Sequence, residues 1–128
     1  QTETSTMASA QAVADAFVRH YYQLFDTNRA GVAALYNEQS MLTFEGKETQ
    51  GVKAIVEKLE EGLSFKQVRH EVATMDVQPC PGNGILVVVT GMLQADQDSA
   101  FRFSQAFTLM PAGGNNFFVL NDIFRLSF

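Results

Sequence analysis

The sequence predicts an α+β domain with three helices on one face of a curved, mostly antiparallel sheet. Three observations carry this. Apolar residues recur at helical spacing up to about residue 59, and the period drops to two after about residue 65. Clusters of Gly, Pro and Asn then divide the second half into strand-length pieces.

The elements follow in order. From Ser9 to Phe25, Val13, Phe17, Tyr21, Leu24 and Phe25 form one helical stripe, with Ser9 as N-cap. Asp26-Thr27-Asn28 breaks it, and Asn28 caps a short helix through Tyr36. Ser40–Phe44 is a short strand and Glu45-Gly46-Lys47 a turn. From Gly51 to Leu59, Val52, Ile55, Val56 and Leu59 share a helix face, and Gly62 is the stop. Phe65–Val77 is a strand, and Pro79–Gly84 a turn that no strand should cross. Ile85–Gln94 and Phe101–Met110 are further strands. A hairpin at Gly113–Asn116 leads to the last strand, Phe117–Phe128. Residues 1–7 read as a polar, disordered tail, and 8–128 as a single domain.

Both faces of this sheet look apolar. In the last strand Phe118, Leu120, Phe124, Leu126 and Phe128 alternate with Phe117, Val119 and Ile123, and Ile85–Val89 is apolar throughout. A sheet wetted on one side alternates more cleanly. A sheet-to-sheet homodimer accounts for the second face, and a patchily apolar surface is the alternative.

Composition narrows the function. Nine basic residues against 14 acidic ones give a net charge of −5, which disfavours nucleic-acid binding. The longest aliphatic run, Ile85–Val89, is far short of the ~20 residues of a membrane helix, so no membrane partner is expected. A single cysteine, Cys80, excludes an intrachain disulfide and suggests a reducing compartment. It sits between two prolines with no basic residue beside it, a poor setting for a nucleophile. There is no Gly-rich phosphate loop and no metal-ligand cluster, so neither metal nor cofactor is expected. His20 lies on the first helix and reads as a surface or packing residue. His70 shares a strand face with Val68 and Val72, where it is either a core residue or a cavity lining.

The acidic residues offer more. Asp96 and Asp98 flank Gln97, and Glu45 follows Phe44 at a strand end. Such carboxylates beside aromatic rings could rim a pocket for Lys or Arg, with Phe supplying apolar area. Ordinary loop solvation is the other reading.

Several segments closely resemble the nuclear transport factor 2 family: FVRHYYQLFDTNRAGVAALYNEQSMLTFEG, QGVKAIVEKL, VRHEVATMDVQP, MLQADQD and NDIFRL, in that order over nearly the whole chain. The resemblance implies a cone of three helices and a strongly bent sheet enclosing an apolar cavity. It also implies a non-enzymatic nuclear import carrier that is a sheet-to-sheet homodimer. Its partners would be the small GTPase Ran in its GDP form and the FxFG repeats of nucleoporins. The implied location is cytoplasm and nucleus, with enrichment at the nuclear envelope. By position, Glu45, Asp96 and Asp98 would meet Ran with Phe44 and His70. Leu63, Val68, Phe101 and Phe124 would line the cavity, and Val119 and Ile123 would lie on the dimer face. Ala10 stands where some relatives carry an aromatic that meets nucleoporin repeats, and Phe44 where some carry tryptophan. The same cone resembles isomerases and dehydratases that move protons in the cavity. Asp26, His70 and Asp122 would be the candidates for such chemistry.

Overall fold

The computed structural model describes residues 3–61, 67–96 and 100–127. Two α-helices, α1 (Glu3–Thr27) and α2 (Val52–Glu61), and a 3₁₀ helix (Arg29–Leu35) accompany six strands. The strands are β1 (Met41–Phe44), β2 (Lys47–Gln50), β3 (Val68–Cys80), β4 (Gly84–Ala95), β5 (Phe101–Pro111) and β6 (Phe117–Ser127). They form one open sheet in the order β2-β1-β6-β5-β4-β3. All pairings are antiparallel except β1 with β6, which run parallel. The expected cone fold is the observed one.

Several boundaries differ from the sequence reading. α1 starts at Glu3, six residues ahead of Ser9, and takes in most of the segment read as a tail. The alternating alanines that follow, Ala8 to Ala16, favour helix and let it extend backwards. Asn28 makes no side-chain cap; its carbonyl accepts from Gly31 N–H at 2.8 Å instead. β2 lies where the sequence pattern marks no strand. Its four residues are mostly exposed and polar, so no alternation marks them. It exists because Glu45 and Gly46 both take positive φ, 51° and 86°, and close a two-residue hairpin with Phe44 opposite Lys47. β3 runs through Pro79 to Cys80. It is an edge strand, where the missing N–H of proline is tolerated.

Two register shifts decide which side chains face inward. Opposite Gly91, β3 shifts register between Val72 and Thr74. A Cβ on Gly91 would lie 2.1 Å from the Glu71 carbonyl oxygen, so only glycine fits this close approach. In β6, Thr108 pairs with Asn121 but Leu109 pairs with Val119, leaving Leu120 as an extra residue. This moves Val119 to the inner face, where it is fully buried beside Asp122 and Phe124, while Ile123 stays 50% exposed. The assignment of Val119 to a dimer face is therefore corrected: it belongs to the monomer core. Strict alternation along β6 could not reveal the inserted residue.

The core centres on Tyr21, whose ring meets Phe17, Tyr22, Phe25, Tyr36 and Phe107. Beneath these rings lies a buried polar network around Asp122. Tyr36 Oη donates to Asp122 Oδ2 at 2.6 Å, and Tyr21 Oη reaches the same oxygen at 3.3 Å and Tyr36 Oη at 2.7 Å. Gln105 Nε2 donates to Asp122 Oδ1, and Tyr22 Oη to Gln105 Oε1, both at 2.7 Å. Burial pushes the Asp122 carboxyl from its usual 3.8 up to about 6, against the lowering effect of the bonds from Gln105, Tyr36 and Tyr21. Burial and then the Asp122 charge push the three phenols well above their usual range, so they remain donors.

Two outcomes follow. Gly91→Ala should lower unfolding free energy by about 1–3 kcal/mol, read as an earlier urea midpoint at unchanged m-value. An unchanged midpoint would contradict the pairing at Gly91. The raised folded-state pKa of Asp122 favours the folded protein below pH 4, and that contribution is lost as pH rises through about 6. From pH 4 to pH 7 the wild type should thus lose up to about 3 kcal/mol of stability relative to Asp122→Asn. Parallel pH profiles would refute the buried charge.

Candidate functional site

At one end of the sheet the strand ends converge. Phe44 lies beside Phe124, Leu126 beside Phe103, Phe101 beside Leu93, and Ala95 beside Val68. Above them α1 and α2 close over a small cleft. Phe44, Phe124, Phe25 and His70 form part of its walls; Tyr21, Leu42, Leu59, Leu93 and Gln105 complete the described lining. The open space is only about 10 Å³, room for one water.

The aromatic wall follows from strand register. Parallel pairing sets Phe44 opposite Phe124, and the rings stack at 4.7 Å with 6° between planes. Phe124 stacks in turn on Phe103 at 5.7 Å. Lys58 of α2 places its ammonium 5.7 Å from the Phe44 ring centre.

His70 is the polar element of the opposite wall. Its Nδ1 lies 2.7 Å from Asp26 Oδ1, and its backbone N–H donates to Asp26 Oδ2 at 2.9 Å. The imidazole stacks on Tyr22 at 4.4 Å. Of the three residues considered for proton transfer, the structure joins Asp26 to His70. Asp122 instead bonds to Tyr21, Tyr36 and Gln105.

Glu45 and Asp96 share one local design. Each is a non-glycine residue with positive φ, 51° and 53°. Each carboxylate accepts a backbone N–H from a neighbouring strand or its approach: Glu45 Oε1 from Leu126 at 2.6 Å, Asp96 Oδ1 from Gln67 at 2.8 Å. Their own N–H groups donate back to the Phe124 and Gln67 carbonyls. Both thus stand at the same sheet end, three strands apart, about 14 Å on a flat sheet. Arg29 lies in the same acidic field. Burial lowers its pKa while Asp26, Asp96 and Glu60 raise it. Its Nη1 donates to the Leu59 carbonyl at 3.2 Å, and its guanidinium lies 5.0 Å from the Phe25 ring centre.

Asp98 and Leu63 lie outside the described residues. Val68 is buried and Phe101 half-buried, but neither lines the cleft. Ala10 is 5% exposed and packs into the core, so its own side chain offers little to a partner; this corrects its expected role. His20 is exposed on α1, as a surface residue should be. Sequence reasoning missed Tyr21, Phe25, Leu42, Leu59, Leu93 and Gln105 as lining residues. Tyr21, Phe25 and Leu59 are legible only as helix-face residues and Leu42 and Leu93 only as strand residues, where core and cleft look alike, and Gln105 carries no apolar signal at all. Among the described residues no group of three His, Cys, Asp or Glu side chains could hold a metal. Among the described residues no helix is long and apolar enough to cross a membrane.

Comparison with known proteins agrees with this architecture. The nuclear transport factor 2 (NTF2) domain profile matches residues 13–126. Nuclear transport factor 2B of Arabidopsis thaliana is 55% identical over 119 residues, covering 91% of this chain and 94% of the plant protein. The structure of nuclear transport factor 2 from Cryptosporidium parvum superposes with a TM-score of 0.88 at 44% identity, covering 92% of this chain and 94% of that one. A protein from Novosphingobium aromaticivorans named for scytalone dehydratase shares the fold alone, with a TM-score of 0.82 at 15% identity over 98% of this chain and 89% of its own. On the profile match and on identity above one half across nearly its full length, the chain belongs to the nuclear transport factor 2 family.

Proposed function

We propose that this protein is a non-enzymatic carrier in nuclear transport, which binds the GDP form of Ran at the aromatic cleft and FxFG-repeat nucleoporins elsewhere. The observation that carries the reading is the pairing of a stacked Phe44–Phe124 wall with carboxylates at the same sheet end. An aromatic side chain of the partner entering between the rings gains apolar area, and Lys or Arg beside it meets Glu45, Asp96 and Asp98. A cleft with room for one water must open to admit a ring. That cost is better met by a protein partner with a wide surrounding contact than by a small substrate. Preference for one nucleotide state would follow if the partner exposes that side chain in one switch conformation only. With Ala10 buried, repeat binding rests on surfaces other than that side chain. The carrier would move between cytoplasm and nucleus and concentrate at the nuclear envelope.

The outer sheet face supports a homodimer. Val88 pairs with Ala106, and Ala106 with Ile123, so three apolar residues run in a row across β4, β5 and β6. Val88, Leu86 and Ile123 are 38%, 37% and 50% exposed in the single chain. A second copy packed on this face would cover them.

Titration calorimetry with Ran–GDP and Ran loaded with a non-hydrolysable GTP analogue tests the carrier. Only the GDP form should bind. Glu45→Lys should weaken that binding more than tenfold, and Glu45→Gln, which retains an acceptor for Leu126 N–H, by less. Normal binding by Glu45→Lys would reject the assigned site. In sedimentation, Ile123→Glu should give a folded monomer, because its side chain is exposed in the single chain. A surviving dimer at low concentration would reject the sheet-to-sheet arrangement.

A further inference from the structure

His70 is placed with more care than packing requires. Its side chain is only 2% exposed, and it stands among the cleft-lining residues. Three aromatic rings confine it: Tyr22 stacks on one face at 4.4 Å, and Phe25 and Phe103 stand nearly perpendicular at 5.2 and 5.3 Å. Asp26 uses both carboxylate oxygens on this one residue, one for the backbone N–H and one for Nδ1. A carboxylate only accepts, so Nδ1 carries the proton in that bond. In a neutral imidazole the other nitrogen then has a lone pair. Among the described residues, Nε2 has no hydrogen-bond partner from the protein.

We infer that Asp26 is a positioning residue of the cleft: it holds His70 as the Nδ1–H tautomer, with Nε2 as a hydrogen-bond acceptor for an N–H or O–H donor on the entering partner segment. The donor half of this statement rests on the carrier reading above; the tautomer half does not. The arrangement adds a directional polar contact to a wall that is otherwise aromatic and aliphatic. It also explains why an aspartate closes the C-terminal turn of α1, where the helix dipole disfavours negative charge.

The test has two arms on the full chain. Nitrogen-15 NMR of the histidine rings at neutral pH, without partner, should show a protonated Nδ1 and a bare Nε2 for His70. That preference should be lost in Asp26→Asn, which brings one amide donor against two N–H groups. A wild-type ring protonated on Nε2 alone or on both nitrogens overturns the inference, and this reading needs no variant to fold. A tautomer unchanged in Asp26→Asn overturns it as well. In the second arm, calorimetry with Ran–GDP should show Asp26→Asn binding about 3–10-fold more weakly, as for one lost hydrogen bond. In a His70→Phe background the same change should alter affinity less than twofold. Additive losses would mean that Asp26 does not act through His70. Unchanged affinity in both single variants would reject the acceptor role. If the wild type binds no Ran, the carrier reading fails, and the tautomer arm still decides the role of Asp26.

Discussion

The structure depends on one buried carboxylate. Asp122 of β6 has no solvent exposure, and the hydrogen bonds it receives come from neutral donors on three other segments. Tyr21 belongs to α1, Tyr36 follows the 3₁₀ helix, and Gln105 belongs to β5. Tyr22 extends the chain by bonding to Gln105. An ionised group in this position is costly to desolvate, and its bonds recover only part of that cost. In exchange the phenols, which are rigid and aromatic on their other faces, can sit on the sheet in one orientation only. Because Tyr21 and Gln105 also line the cleft, the network that docks α1 also shapes the floor of the candidate site.

The rim is built by a different rule. Glu45 and Asp96 occupy the left-handed region, where residues with a Cβ are rare and strained by roughly 1 kcal/mol or more. Each offsets that strain with a carboxylate-to-backbone bond that ties it to its neighbouring segment. The carboxylates thereby stand at fixed points of the sheet end. In the proposed carrier, such pre-placed charge would orient a basic partner without the entropy loss of ordering long side chains on binding.

Much of this was legible from the residues alone. The helix stripes of Val13–Phe25 and Val52–Leu59, and the strict alternation of Phe101, Phe103, Phe107 and Leu109, report burial directly, and these elements formed as expected. The failures are physical and local. A single extra residue at Leu120 reverses the faces of β6 on one side of it, which no periodicity argument detects. Pro79 stops a strand only if that strand is central, and position in the sheet is a tertiary property. β2 is specified by the turn before it and not by its own polar residues. In the site, Glu45 and Asp96 were visible as carboxylates next to strand ends, and family resemblance singled them out. The bond between Asp26 and His70 joins residues 44 positions apart, and only the folded chain brings them together.

The parallel pairing of β1 with β6 has a consequence for how the chain is made. β6 is the last strand in chain order, yet it lies inside the sheet, between β1 and β5. Until it emerges from the ribosome, the β1–β2 hairpin has no sheet to join, and Tyr21 and Tyr36 have no carboxylate to meet. Early helices and late strands must therefore wait for one another, a topology of distant contacts that slows folding and prolongs exposure of apolar surface. Loss of β6 would remove a central plank, not trim an edge, and apolar surface stays exposed on the nascent chain until that strand has joined the sheet.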